Sequence, residues 1–169
     1  ALVALDAMVT ITGPGGDKTI PLAEFFVGPR KTILNADELL AAIVIPQKNL
    51  GKPAAFLKFG LRKGQALALV NVAVSAHIAG DPAVFRDTRI ALGAVAPQVM
   101  RATQAEAYLE GRAVTPAAMA EAGAIAADEA QPISDFRASA GYRRDLVATL
   151  TRRALEKIRT PAATPSKEQ

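Results

Sequence analysis

The chain has 169 residues, of which 50% are hydrophobic and 21% charged, with no cysteine, one histidine and a formal charge of +4 at neutral pH. This supports one or two compact domains with a real core, and the lack of cysteine excludes disulfides, thiolate metal sites, an iron–sulfur cluster and a cysteine nucleophile within these residues. A lone histidine leaves no His-rich metal cluster, and basic residues are not interleaved with aromatic ones as a nucleic-acid platform requires, so no nucleic-acid partner is expected.

The longest apolar run, Ala66 to Ile78, is broken by Asn71, Ser75 and His77 and falls short of the roughly 20 residues of a membrane span. Residues 1–7 carry Asp6 and no basic stretch, unlike a signal peptide. The sequence starts without Met inside what reads as a strand, so it is expected to be part of a longer protein. The cysteine-free composition is compatible with the cytoplasm, which is the expected location.

In chain order, residues 2–12 read as a strand, Gly13-Pro14-Gly15-Gly16 as a turn and Lys18 to Leu22 as the return strand of a hairpin. Asn35-Ala36-Asp37-Glu38 has the form of a capping box, yet the β-branched Ile43-Val44-Ile45 closed by Pro46 argues for a strand. The expectation is a short helical turn at most, then the strand. Gln47 to Pro53 is the candidate domain boundary. Ala55–Gly60, Leu67–Ile78 and Phe85–Val95 then predict a three-stranded antiparallel meander. Along its middle strand Val70, Val72, Val74, Ala76 and Ile78 share one face, and Leu69, Asn71, Ser75 and His77 the other.

Helices follow. A capping box at Thr103 to Glu106 opens one of about two turns that Gly111 closes. Thr115-Pro116 starts the next. Ser134 or Asp135 caps the last, to about Ile158, with Tyr142, Leu146, Leu150, Ala154 and Ile158 as its buried stripe and Arg143, Arg144, Arg152 and Arg153 off it. The tail 160–169 is polar and expected to be disordered. Strands followed by helices make the fold class α+β, with divisions at 1–50, 51–159 and 160–169.

The ordered set of local signatures goes further. Ile20-Pro21-Leu22, Glu24-Phe25-Phe26, Gly28-Pro29-Arg30-Lys31-Thr32, Glu38-Leu39-Leu40 and Ile43-Val44-Ile45-Pro46 resemble the second FAD-binding subdomain of the flavoprotein (medium) subunit of molybdenum hydroxylases, the xanthine dehydrogenase and carbon monoxide dehydrogenase family. Phe56-Leu57-Lys58, Arg62-Lys63, Val70-Asn71-Val72-Ala73, Ala91 to Pro97, Leu109-Glu110-Gly111 and Pro132 to Ser139 with Tyr142-Arg143-Arg144 resemble the C-terminal domain of that subunit. The resemblance implies an oxidoreductase of several subunits. FAD sits on this one, a molybdenum–pterin centre and [2Fe-2S] clusters on partners, and electrons pass through FAD to an acceptor that could be NAD, a quinone or oxygen.

By position, the resemblance implies that Leu39, Leu40 and Lys58 contact the flavin. Leucines would wall a flat ring, and a lysine would favour negative charge on it; the competing readings are core packing and a solvated strand residue. Many family members carry an aspartate where this chain has Gly64-Gln65-Ala66. Either Gln65 serves as a neutral hydrogen-bond partner or the contact is lost. The glycine-rich segment with which the family holds the FAD pyrophosphate has no counterpart here, since Gly13–Gly16 sits in a hairpin turn and precedes Asp17. The second functional expectation is a subunit-docking module without FAD. Arg137, Tyr142, Arg143 and Arg144 are candidates for docking an iron–sulfur subunit, against a purely structural role. His77 is read as structural, and Ser134 and Ser139 lack a base that would make them nucleophiles.

Overall fold

Two antiparallel sheets carry the fold, and the computed structural model describes residues 1–159 of it. The tail expected to be disordered lies outside the described residues. The first sheet is built from β1 (Met8–Gly13), β2 (Gly16–Pro21) and β5 (Leu39–Val44) in the order β2-β1-β5. Its hairpin closes where expected, with Gly13 opposite Gly16. Between β2 and β5 come a single helical turn, α1 (Leu22–Phe25), and a small pair of strands, β3 (Phe26–Gly28) and β4 (Lys31–Thr32).

The expected opening strand is shorter than the sequence suggests. Val3–Leu5 forms a 3-10 turn ended by Asp6 at φ 50, and β1 starts only at Met8. Val3 and Ala4 are buried, so tertiary packing overrides their strand pattern. The Asn35–Glu38 box closes without nucleating a helix. Glu38 accepts the Asn35 N–H at 2.8 Å and returns its own N–H to the Asn35 carbonyl, and β5 begins at the next residue.

The second sheet contains the expected meander of β6 (Ala54–Gly60), β7 (Ala68–Ala79) and β8 (Val84–Gly93), extended at its edge by the two-residue β9 (Met100–Arg101). Three helices pack on one face: α2 (Thr103–Leu109), α3 (Pro116–Glu129) and α4 (Ala140–Arg159). This is the α+β arrangement of a sheet with helices on one side. Val70, Val72, Val74, Phe85, Ile90 and Leu92 meet Leu109, Met119, Val147 and Leu155 in its core. Each fully buried side chain of this kind contributes about 1.5–3 kcal/mol relative to exposure.

Thr115 caps α3 as its sequence predicts, accepting the Ala118 N–H at 3.1 Å. The other two caps differ from expectation. At α2 the Glu129 carboxylate of α3 accepts the Gln104 and Ala105 N–H groups, each at 3.1 Å. Glu106, the expected box partner, is drawn instead to Arg101 and to the Ile90 N–H. At α4 the cap is Ser139, whose hydroxyl accepts the Tyr142 N–H at 3.2 Å; Ser134 ties the preceding loop to Ala140, and Asp135 closes a turn at Arg137 and Ala138.

The stripe on α4 is also broader and differently phased. Leu146, Leu150, Ala154 and Ile158 are buried as expected, but Tyr142 is 46% exposed and Arg143, placed off the stripe, is buried. Arg143 turns inward because three oxygens await it: the Leu69 carbonyl at 2.6 Å, the Ala94 carbonyl at 3.3 Å and the Asp135 carboxylate at 3.0 Å.

Candidate functional site

The face of the second sheet away from the helices positions the candidate site. Directly opposed residues share a face of an antiparallel sheet, which sets out three cross-strand rows: Ala54–Ser75–Arg89, Phe56–Ala73–Ala91 and Lys58–Asn71–Gly93. The N-terminal segment covers the first two. Ser75 donates to the Ala4 carbonyl at 2.5 Å, and Ala73 and Ala91 belong to the same core as Val3, Ala7, Val9, Ile11 and Phe25.

An ionic cluster holds this seam. Asp6 accepts Arg89 Nε at 3.0 and 3.1 Å and Arg101 Nη1 at 3.3 Å. Lys52, whose side chain is fully buried, reaches Asp87 at 2.9 Å. Burial pushes the Asp87 carboxyl up, but the Lys52 ammonium, with the Arg89 and Lys48 charges, outweighs this and holds it below its ordinary value. For Arg101 the Glu106 hydrogen bonds outweigh desolvation and raise its pKa.

The third row lies at the rim of the covered area. Lys58 is exposed, Asn71 half-buried and Gly93 buried. The Asn71 carboxamide lies directly over Gly93: a Cβ added there would stand 2.4 Å from Asn71 Oδ1 and 2.8 Å from Nδ2. No hydrogen bond to that carboxamide is formed by the described residues. Over the first two rows an apolar hollow of about 180 Å³ opens between Ala1, Ala4 and Leu5 on one side and Ala54, Phe56 and Ala73 on the other.

The four residues expected to contact cofactor stand in separate places. Leu39 and Leu40 lie on β5, opposite Thr12 and Ile11, 74% and 37% exposed. They are not core residues in this fold. Lys58 lines a groove with Leu57, Phe59 and the α4 residues Leu150, Arg153, Glu156 and Lys157. Gln65, at φ 47, has its carbonyl bound by Arg62 at 2.9 Å and lines a hollow with Leu61, Leu67, Phe136 and Arg137. His77 is exposed opposite Arg86. Of the docking candidates, Arg143 is withdrawn into the core and cannot face a partner, whereas Tyr142 and Arg144 remain accessible.

Sequence reasoning passed over Gly93 and the Asp6 cluster. Gly93 carried a usable signal, since a glycine inside a strand pattern marks close approach of another group. The Asp6 cluster joins positions more than 80 residues apart and has no local signal.

The face carries groups of the kind a flavin ring would use, an apolar hollow walled partly by Phe56 over the first two rows and the Asn71 carboxamide and Lys58 ammonium on the third, although no one hollow is lined by all of them. The pyrophosphate end finds no such fit. Gly13–Gly16 closes the β1–β2 turn, and the adjoining Asp17 carboxylate, which accepts the Thr12 hydroxyl at 2.8 Å, would repel an anion. Among the described residues no group of His, Asp or Glu is placed to hold a metal ion, and no helix is long and apolar enough to cross a membrane.

Comparison with known proteins agrees with this reading of the fold. Residues 54–158 match the CO dehydrogenase flavoprotein C-terminal domain, and residues 1–48 match the FAD binding domain in molybdopterin dehydrogenase. The nicotine 6-hydroxylase medium subunit of Paenarthrobacter nicotinovorans is 35% identical over 154 residues, covering 91% of this chain and 53% of that protein. The carbon monoxide dehydrogenase medium chain of Hydrogenophaga pseudoflava is 30% identical over 153 residues, covering 90% and 52%. Among solved structures, carbon monoxide dehydrogenase from Hydrogenophaga pseudoflava superposes with a TM-score of 0.85 at 33% identity, over 92% of this chain and 53% of that one. Quinoline 2-oxidoreductase from Pseudomonas putida 86 gives 0.80 at 28% identity, over 94% and 54%. The chain thus spans about half the length of the relatives it matches. It belongs to the FAD-binding medium subunits of the molybdenum hydroxylase and CO dehydrogenase family, of which it represents the C-terminal portion.

Proposed function

We propose that this chain is the flavin-ring half of an electron-transfer subunit. FAD would pass electrons from [2Fe-2S] clusters on one partner, reduced by a molybdenum–pterin subunit, to an external acceptor. The reading carries with it a hetero-oligomer, a cytoplasmic location and a division of the chain near residue 50. The observation that supports it most is a fold whose two parts match the two family domains in order.

The flavin supplies the redox chemistry when bound, and the protein sets position and charge. Lys58 favours negative charge on the ring through its ammonium, an interaction that strengthens once water is excluded. Leu39 and Leu40, exposed on β5, provide apolar wall. Gln65 is a neutral hydrogen-bonding group in the loop after β6. In this reading the pyrophosphate half of the site is supplied by polypeptide beyond these 169 residues.

The test is intact mass beside the visible absorption spectrum. A subunit well above 17.6 kDa with flavin bands is the expected outcome, with the 169-residue chain alone retaining little or no FAD. Equal FAD affinity for the short and long forms would overturn the divided site. A second reading, a docking module without flavin, is favoured by the exposed Ile133 and Phe136, 71% and 90% accessible, on the loop before α4. A colourless full-length subunit that still binds its partners would establish that reading instead.

A further inference from the structure

We infer that the groove between β6 and α4 takes an extended acidic segment of a partner polypeptide, which adds to the second sheet as a further strand beside β6. The α4 cations and the β6 backbone take no part in the flavin reading above.

β6 is an outer strand of the second sheet, in which only β7 pairs with it. The N–H and C=O groups on its other side have no strand to bond, and such an edge is a template for one more. α4 runs past this edge and leaves a groove of about 650 Å³ between the two. Leu57 and Phe59 of β6 and Leu150 of α4 give it an apolar lining. Phe59 stacks edge-on against Tyr142 of α4, with ring centroids 6.4 Å apart, and so ties strand to helix. An open strand edge beside an apolar groove is how sheets capture extended peptides. The main chain supplies affinity, and alternate side chains enter the groove.

Charge chooses the occupant. Lys58, Arg153 and Lys157 stand around the groove, all exposed, and none forms an ion pair with another described residue. The carboxylate among them, Glu156, is taken by Arg152 at 2.6 Å. Arg153 and Lys157 are four residues apart on α4, a spacing at which like charges oppose each other. A partner's carboxylates would relieve that repulsion. A second copy of this chain would not, because pairing β6 with β6 brings Lys58 and the α4 cations toward their own counterparts. A lysine within an edge strand discourages such pairing.

The test uses the full-length subunit and a short fluorescein-labelled peptide of alternating valine and glutamate, with affinity read by fluorescence anisotropy. The acidic peptide is expected to bind, and its counterpart of alternating valine and lysine to bind about tenfold more weakly or worse. Arg153→Glu combined with Lys157→Glu, both at exposed positions, should weaken the acidic peptide by about tenfold. Methylating every backbone nitrogen of the peptide removes its strand hydrogen bonds without changing its charge, and should weaken it by a similar factor. Equal affinity for the methylated and plain peptides would reduce the groove to a charged surface and overturn strand addition. A charge-reversed subunit that binds as wild type does overturns the choice of an acidic occupant. A full-length subunit that leaves the acidic peptide unbound overturns the inference outright, since its own remaining polypeptide or a second copy then fills the groove.

Discussion

Asp6 and Arg89 meet through both carboxylate oxygens, at 3.0 and 3.1 Å, and in doing so join the N-terminal segment to the centre of the second sheet. Both side chains are 21% exposed, and Arg101 and Lys48 reach the same carboxylate. Asp6→Ala removes the partner of Arg89 Nε, while Nη2 keeps Asp87 at 2.6 Å, and is expected to cost about 1–2 kcal/mol. Denaturant unfolding checks this. The loss should shrink toward 1 M salt, where the Debye length is about 3 Å, and a salt-independent loss would mean that packing, not charge, holds the seam.

Acid should loosen the turn before α4. Partial desolvation pushes the Asp135 carboxyl up, but hydrogen bonds from the Arg137 and Ala138 N–H groups, then from Arg143 and Arg137, outweigh it and hold its pKa down at about 2. A depressed carboxylate contributes stability that is fully present above its unfolded value of 3.8 and is lost as pH falls toward about 2. Asp135→Asn is therefore expected to be less stable than wild type near pH 6. The two should converge between about pH 4 and 2 in thermal melts. Arg143→Met strips the Leu69 and Ala94 carbonyls of their donor and should cost about 2 kcal/mol near pH 2, and more near pH 6, where the bond to the ionised Asp135 is lost as well.

Gly123 marks the closest approach of α3 and α4. A Cβ there would lie 2.6 Å from the Ala148 carbonyl oxygen, a backbone atom that cannot swing aside. Gly123→Ala gains about 1 kcal/mol of helix propensity, but forcing the helices apart costs about 1–3 kcal/mol. Net destabilisation is expected, in contrast to Gly→Ala at an unhindered helical site. A raised melting temperature would show that α3 shifts freely.

Glu129→Ala should destabilise by about 1 kcal/mol, the worth of a lost N-terminal cap. Thr103→Ala should matter far less, because the Thr103 hydroxyl only grazes Glu129 at 3.5 Å and caps nothing. Helicity by circular dichroism, with Thr115→Ala as the reference cap loss, distinguishes the two.

These contrasts show where the sequence is readable. The Gly13–Gly16 hairpin, the β7 strand and the Thr115-Pro116 start of α3 rest on neighbours within a few residues, and all three form as expected, although Leu69, expected on the mixed face of β7, joins the helix-side core. Glu129 capping α2, Arg143 turning inward and the 3-10 turn at Val3 depend on groups brought near by the fold. Thr103 and Glu106 satisfy a capping-box pattern, yet a better-placed carboxylate and a nearby arginine outcompete it. At the candidate site, the polar side of β7 is visible in the alternation, but that Asn71 rests on Gly93 follows only from strand register.

The strand β5 is one of the two outer strands of its sheet, and all six of its residues are exposed, Leu39, Leu40, Ile43 and Val44 among them. Such a margin is sticky. Its unpaired N–H and C=O groups can template a second copy edge to edge, with no lysine or proline among the six to discourage it. Handled as a separate polypeptide at high concentration, the chain is expected to cloud and precipitate through this margin. Turbidity of the isolated chain should drop sharply on Ile43→Lys, a change made at the rim and not in the core.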